Sequence, residues 1–89
     1  MFDIVVNIDL AEKKGLNYAV MYAVLFDAIR ANKGDDGFAV LTAEYLQQLT
    51  TLTRRQQNPV IDEMIRDGLI EVEKRGVPCR RYFKITGTV

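Results

Sequence analysis

The fold is decided by one stretch of twenty residues, TRRQQNPVIDEMIRDGLIEV, at positions 53–72. Thr53, with Gln56 three residues later, matches a capping box, in which two side chains satisfy backbone N–H groups at the start of a helix. Apolar residues then recur at helical spacing, at positions 60, 61, 64 and 65, up to Gly68. Pro59 interrupts this pattern because it lacks an N–H and its ring clashes with the preceding helical turn. The stretch therefore predicts a helix whose first residue has to be established.

Two starting points for this helix are compatible with the sequence. A start at Thr53 places the polar residues 54–58 on the first helical turns. A start at Asn58 makes Pro59 the first helical residue, an arrangement that both residue types favour. The shorter helix would present mostly acidic side chains as far as Asp67, and these are poor neighbours for phosphate. We favour Thr53 because its capping box is intact, and the Asn58 start remains the alternative.

Length and composition predict one small globular domain. The chain has 89 residues, of which 48% are hydrophobic and 27% charged, and its net charge is zero. We expect a single domain over 1–89, with an N-terminal arm or short helix at 1–15 and a core at 16–86. No apolar run reaches the roughly 20 residues of a membrane span, and the N-terminus lacks a signal-peptide pattern. A cytoplasmic protein without a membrane partner is expected, and the lone Cys79 agrees because it cannot form an internal disulfide.

Helical and strand periodicities predict an α+β fold. The main core helix covers 17–32, with Asn17 as its N-cap and Gly34 as its stop. Thr42 is suited to cap a second helix. The other predicted elements are an extended arm at 2–6, a short helix at 8–14, a short strand at 38–41, and two strands at 69–74 and 79–85 joined by a tight turn.

The order of helix, short strand, helix, turn, helix and two-stranded hairpin is that of a winged helix. Three segments carry this resemblance: LQQLTTLTRR at 46–55, IDEMIRDGLI at 61–70 and RRYFKI at 80–85. They resemble the winged helix-turn-helix of bacterial and phage DNA-binding proteins, over residues 16–86. The segment DLAEKKGLNYA at 9–19 is similar to the start of phage replisome-organiser and DnaD-like replication proteins.

The resemblance implies that the helix after Thr53 enters the major groove of DNA, with residues near its N-terminus facing base edges. These candidate contacts are Arg54, Arg55, Gln56, Gln57 and Asn58. Arginine can donate two hydrogen bonds to guanine, and Gln or Asn can pair with adenine, although such residues also form ordinary solvated helix starts. The sequence departs from the family at Thr51, where a turn glycine is common, at Gln57, where an apolar residue usually packs inward, and at Pro59.

The second candidate surface is the basic part of the predicted hairpin, which corresponds to the wing. Five basic residues and no acidic one lie at positions 74–84: Lys74, Arg75, Arg80, Arg81 and Lys84. Accordingly, residues 1–53 hold four Lys/Arg against seven Asp/Glu, whereas residues 54–89 hold eight against five. A wing of this kind binds phosphate, and the alternative use of such residues is to protect an edge strand from aggregation. Strand alternation groups Arg81 with Phe83 on one face and Arg80 with Tyr82 on the other.

Two further groups of residues have simpler expected uses. Tyr18, Tyr22 and Phe26 follow one another at intervals of four residues on the core helix, where core packing is expected and a dimer contact is the alternative. Asp35 and Asp36 lie in a glycine-flanked turn and lack the alternating ligands of a calcium loop, so a solvated turn is expected.

These patterns predict a small winged-helix DNA-binding protein rather than an enzyme. The chain has no histidine, no serine, no paired cysteines and no glycine-rich phosphate loop, so no catalytic residue, cofactor or metal site is expected. The expected partners are double-stranded DNA, a second copy of the chain in a homodimer, and replication proteins. The expected role is that of a phage or plasmid replication accessory or a regulator of transcription. The alternative is a winged-helix module for protein interaction or oligomerisation with little affinity for DNA. It is favoured by the zero net charge and by four residues: Gln57, Pro59, Asp62 and Glu63.

Overall fold

The structure is a computed structural model, and it describes residues 5–88. The elements are α1 (Ile8–Lys14), α2 (Leu16–Asn32), β1 (Ala39–Val40), α3 (Ala43–Thr50), α4 (Arg54–Arg66), β2 (Ile70–Arg75) and β3 (Arg80–Ile85). Within residues 5–88 they form four helices and one antiparallel sheet of order β1-β3-β2. The expected α+β class is confirmed, and the element order is compatible with the expected winged-helix arrangement. Most of the arm predicted at 2–6 lies outside the described residues.

Helix α2 is the centre of the core, because side chains around much of its circumference are buried. Met21, Val24 and Leu25 are fully buried, and Tyr18 and Phe26 are buried beside them, so core packing is confirmed for both aromatic residues. The predicted Asn17 cap is wrong. Helix α2 begins at Leu16 directly after Gly15, and it ends at Asn32 with Lys33 as its C-cap.

The turn between α3 and α4 contains Thr51 in the left-handed conformation, with φ 64° and ψ 2°. A β-branched residue there costs roughly 1–2 kcal/mol relative to a right-handed conformation, whereas glycine adopts the left-handed conformation without that cost. Thr50 stabilises the turn, since its hydroxyl donates to the Leu46 carbonyl at 2.7 Å and accepts from the Leu52 N–H at 3.1 Å. Thr51 therefore forms this turn, although the sequence has threonine where a turn glycine is common.

Helix α4 begins after Thr53, as favoured from the sequence, and the alternative start at Asn58 is wrong. The Thr53 hydroxyl accepts from the Gln56 N–H at 3.3 Å, and the Gln56 side chain accepts from the Thr53 N–H at 2.9 Å. The helix continues through Pro59, which cannot donate a hydrogen bond to the carbonyl of Arg55. Because Arg55 and Pro59 are both exposed, the missing bond does not leave a polar group in the core.

Strands β2 and β3 form the C-terminal hairpin, and its two faces differ. The inner face packs on the helices and pairs Ile70 with Ile85, Val72 with Phe83, and Lys74 with Arg81. The outer face pairs Glu71 with Lys84, Glu73 with Tyr82, and Arg75 with Arg80. Arg81 and Phe83 share one face, as strand alternation predicted, and the full burial of Phe83 shows that this is the packed face.

Candidate nucleic-acid interface

A cleft of about 730 Å³ separates α4 from the inner face of the C-terminal hairpin. Its apolar lining comes from Ile61, Ile65 and Val72, and Ile65 is 41% exposed. Its charged lining comes from Arg54 and Asp62 on α4 and from Lys74 and Arg81 on the hairpin. Glu73 of the outer face, whose carboxylate binds Arg75, also borders the cleft. Members of the two surfaces predicted separately from the sequence, Arg54 and Asn58 on α4 and Lys74 and Arg81 on the hairpin, therefore line one cleft.

Four of the five residues predicted on the start of α4 are exposed, and only Gln57 is buried. Arg54, Arg55 and Asn58 line a shallow hollow on the outer side of this helix, together with Pro59 and Asp62. Because the helix begins at Thr53, all three lie on its first two turns, where groove-contacting residues are found in helix-turn-helix proteins.

Gln57 is a correction to the predicted interface. Its side chain is 0% exposed, and its Nε2 donates to the carbonyl of Ala43 at 3.1 Å and to that of Leu52 at 2.8 Å. A side chain that is buried and holds the α3–α4 turn in this way has no access to a base edge. Gln57 takes the place of the usual inward apolar residue, and its polarity supplies donors to that turn.

Gln56 is exposed, but its side chain forms part of the cap at the start of α4. Its Oε1 accepts from the Thr53 N–H and lies 3.3 Å from the Thr53 hydroxyl. The acceptor that an adenine contact would use is therefore engaged by the cap. Arg54, Arg55 and Asn58 remain the exposed candidates on this helix.

Arg81 occupies the cleft between the two elements. It is half-buried, its Nη1 donates to the Oδ1 of Asn58 at 3.4 Å, and its guanidinium lies 5.3 Å from the centre of the Phe83 ring. Its Nη2 is buried without a hydrogen-bond partner, and no carboxylate of residues 5–88 lies within salt-bridge distance of it. Burial lowers the pKa of Arg81, the charge of Arg54 lowers it further, and Glu44 opposes both. The cleft therefore holds a guanidinium that forms no salt bridge within residues 5–88, although Asp62 also lines the cleft.

Arg75, on the outer face, is in the opposite situation. Its guanidinium donates to Glu73 at 3.2 and 3.4 Å and to Asp36 at 3.3 Å. It also lies over the rings of Phe38, at 4.7 Å, and Tyr82, at 4.5 Å. The Glu73 carboxylate is the main reason that the pKa of Arg75 is raised. Arg75 therefore stabilises the hairpin with charge that two carboxylates already neutralise.

The other three predicted wing residues differ in exposure. Lys74 and Arg80 are exposed, whereas Lys84 is half-buried on the outer face, with its amine 5.5 Å from the Phe38 ring. The two carboxylates that bind Arg75 were not predicted from the sequence. Strand alternation indicates Glu73, which lies two residues before Arg75 on the same face. Asp36 is 39 positions away, and only the folded chain brings it near.

The acidic residues at the end of α4 are compensated by an ion pair that the sequence did not indicate. Lys14 lies 3.1 Å from Glu63 and 3.3 Å from Asp67, and the Tyr18 hydroxyl donates to Asp67 at 2.6 Å. The Tyr18 hydrogen bond is the largest cause of the lowered pKa of Asp67, and burial is the largest cause of the raised pKa of Tyr18. Two of the acidic side chains that argued against phosphate binding, Glu63 and Asp67, thus share the positive charge of Lys14 away from the cleft, whereas Asp62 lines the cleft.

Comparisons of this chain with protein-family models, curated proteins and solved structures find no match. Within residues 5–88, no helix is long and apolar enough to cross a membrane. No cluster of three or more His, Cys, Asp or Glu side chains suited to a metal ion occurs in that part of the chain. Cys79 is exposed on the hairpin turn beside Arg80 and Arg81.

Proposed function

We propose that this protein is a winged-helix DNA-binding protein that binds duplex DNA with α4 and the C-terminal hairpin. The observation that carries the proposal is the start of α4 at Thr53, which leaves Arg54, Arg55 and Asn58 exposed beside the hairpin. A helix starting at Asn58 would have removed these residues from the helical face and left mainly acidic ones.

The chemistry of the exposed residues suits a duplex. Arg54 and Arg55 can donate bidentate hydrogen bonds to guanine or bind phosphate oxygens. Lys74 and Arg80 are exposed on the hairpin and can bind the phosphate backbone without sequence preference. The proposal covers a replication accessory or a regulator of transcription, and it assigns no catalytic activity, cofactor or metal to the chain.

A second candidate function is protein interaction or self-association. It is favoured by the apolar lining of the cleft, where Ile65 is 41% exposed, and by Val5, Ile8 and Leu16, which are large apolar residues exposed near the N-terminus. Apolar surface of this kind binds protein rather than phosphate. The two functions are compatible if the chain binds DNA as a homodimer.

Binding to a fluorescent mixed-sequence duplex, measured by anisotropy between roughly 50 and 200 mM salt, tests the proposal. We expect micromolar or tighter binding at the lower salt concentration and a steep loss of affinity as salt increases. An Arg54→Gln, Arg55→Gln variant should bind less tightly, and Lys13→Gln, Arg30→Gln is the matched control for net charge. Absence of binding at micromolar protein, together with concentration-dependent dimerisation in sedimentation, would reject the proposal in favour of self-association.

A further inference from the structure

Asn58 is placed between the two arginines of the cleft. It lies four residues after Arg54, so the two side chains share a face of α4, and its Oδ1 accepts the hydrogen bond from Arg81 of β3. An Asn that reads adenine must present both its carbonyl and its amide group to the base. In this protein the carbonyl group is directed toward the hairpin, which indicates a different use for Asn58.

Arg81 has an incomplete set of interactions. Among residues 5–88, its one side-chain hydrogen bond is long and goes to a neutral amide, its Nη2 is buried without a partner, and its neighbour Arg54 carries the same charge. Arg54 also forms no ion pair among residues 5–88. Glu44 and Asp62 line the same region, but neither forms a salt bridge with Arg54 or Arg81 within residues 5–88. The two guanidinium groups therefore repel each other, and an anion between them converts that repulsion into two attractions.

We propose that Asn58 is a positioning residue that holds Arg81 against α4, so that Arg54 and Arg81 together bind a single phosphate group. Guanidinium is suited to this ligand because its planar set of donors matches phosphate oxygens. The inference rests on the proposed function where the phosphate belongs to a DNA backbone, and the same chemistry applies to free phosphate. Asn58 then contributes to affinity through Arg81 and independently of base sequence.

A double-mutant cycle on duplex affinity tests whether Asn58 acts through Arg81. Arg81→Gln should lower the affinity about tenfold and reduce the slope of log K against log salt by about 0.9. Asn58→Ala should lower the affinity roughly three- to tenfold with a similar loss of slope, and it should change the affinity by less than about twofold in the Arg81→Gln background. Asn17→Ala, an exposed Asn on another helix, is the matched control.

Two outcomes of the cycle would overturn the proposal. Additive losses in the double variant would mean that Asn58 contacts DNA directly, and full affinity of Asn58→Ala would mean that Arg81 needs no positioning. Mixed-sequence duplexes that are rich in A·T or in G·C pairs provide a second readout. Equal losses with both duplexes support positioning, whereas a loss confined to the A·T-rich duplex indicates adenine recognition.

A titration with inorganic phosphate separates this inference from the proposed function. In the wild-type protein, phosphate should shift the side-chain Nε–H resonances of Arg54 and Arg81 at millimolar concentrations, with Arg75 unchanged and sodium chloride at equal ionic strength as the control. If the protein binds no duplex but shows these shifts, the DNA proposal fails and the phosphate site stands. If it binds duplex while Arg54 and Arg81 are unshifted by phosphate and the cycle is additive, the phosphate site fails and DNA binding stands.

Discussion

The inner and outer faces of the C-terminal hairpin each carry arginine, and they use it differently. On the outer face, Arg75 is held by Glu73 and Asp36 and lies between two aromatic rings. On the inner face, Arg81 has one long hydrogen bond to Asn58 and no carboxylate within salt-bridge distance among residues 5–88. Two arginines on one hairpin thus differ in whether their positive charge is already paired with a carboxylate or can interact with a ligand.

This difference shows that basic residues in a sequence are not equivalent as phosphate ligands. Breaking an existing ion pair to bind phosphate returns little free energy, because one favourable interaction replaces another. An arginine without a carboxylate gains the whole interaction with an incoming anion. The inner face, with Lys74 and Arg81, should therefore carry most of the salt-dependent affinity of the hairpin, although the outer face has three basic residues, Arg75, Arg80 and Lys84.

The largest expected effect concerns the inward side of α4, where Gln57 is buried next to the exposed Asn58. Gln57→Ala should decrease the free energy of unfolding by about 2 kcal/mol, because it removes the buried Nε2 donor that bonds the Ala43 and Leu52 carbonyls and also removes buried volume. Gln48→Ala, at an exposed position of α3, should change it by less than about 0.5 kcal/mol. Urea denaturation measures both values.

Gln57→Ala also tests whether inward and outward residues of α4 have separate roles. At a temperature where the variant is folded, its affinity for duplex DNA should be within about twofold of wild type. A variant with normal stability and lost DNA affinity would show that Gln57 reaches the ligand, which its burial argues against.

The second-largest expected effect concerns the exposed side of α4, which carries Arg54. Arg54→Gln should decrease duplex affinity about tenfold, which corresponds to about 1.4 kcal/mol, and should reduce the salt slope by about 0.9. The physical reason is that Arg54 faces the cleft without an ion-pair partner among residues 5–88. Arg30→Gln on α2 is the matched control and should leave the affinity within about twofold. Equal losses from both variants would indicate that only net charge matters.

The smallest effect concerns stability in acid and arises from paired charges outside the cleft. The pKa of Asp67 is lowered in the folded protein, mainly by the hydrogen bond from Tyr18 and further by Lys14. A carboxyl whose folded pKa is below its ordinary value of 3.8 contributes stability that is present above that value and lost as pH falls through the folded pKa. The free energy of unfolding should therefore decrease below about pH 4.

Asp67→Asn should reduce this dependence on pH, and Tyr18→Phe should reduce it in part because it removes the hydrogen bond. Chemical denaturation at pH 3 to 6, in steps of about one unit, measures the slope for each variant. An Asp67→Asn variant that keeps the wild-type slope would contradict the role of Asp67. Duplex affinity at neutral pH should be unaffected by either substitution, since neither side chain lines the cleft.

The helices and the hairpin were predictable from the sequence because their signals are local. The Thr53–Gln56 capping box lies within one helical turn, and it decided the start of α4 correctly even though Pro59 favoured a later one. The α+β class followed from periodicity of the apolar residues. The Asn17 cap was wrong because Gly15 allows α1 and α2 to follow each other directly.

Whether each candidate site residue is exposed and free of an ion pair, and so able to bind a ligand, was not predictable in the same way. The burial of Gln57 depends on where α3 packs against α4, and the pairing of Arg75 with Asp36 joins residues that are 39 positions apart. The contact between Arg81 and Asn58 similarly joins β3 to α4. Sequence patterns locate charges on elements, whereas neutralisation depends on long-range contacts.

The most direct test compares Arg81→Gln with Arg75→Gln in duplex binding across a range of salt concentrations. The two variants remove the same charge from opposite faces of one hairpin. We predict that Arg81→Gln reduces the salt slope by about 0.9, whereas Arg75→Gln leaves the slope unchanged, changes the affinity by less than about twofold and lowers the thermal stability. Equal reductions of the slope, or a reduction confined to Arg75→Gln, would contradict the assignment of phosphate binding to the inner face.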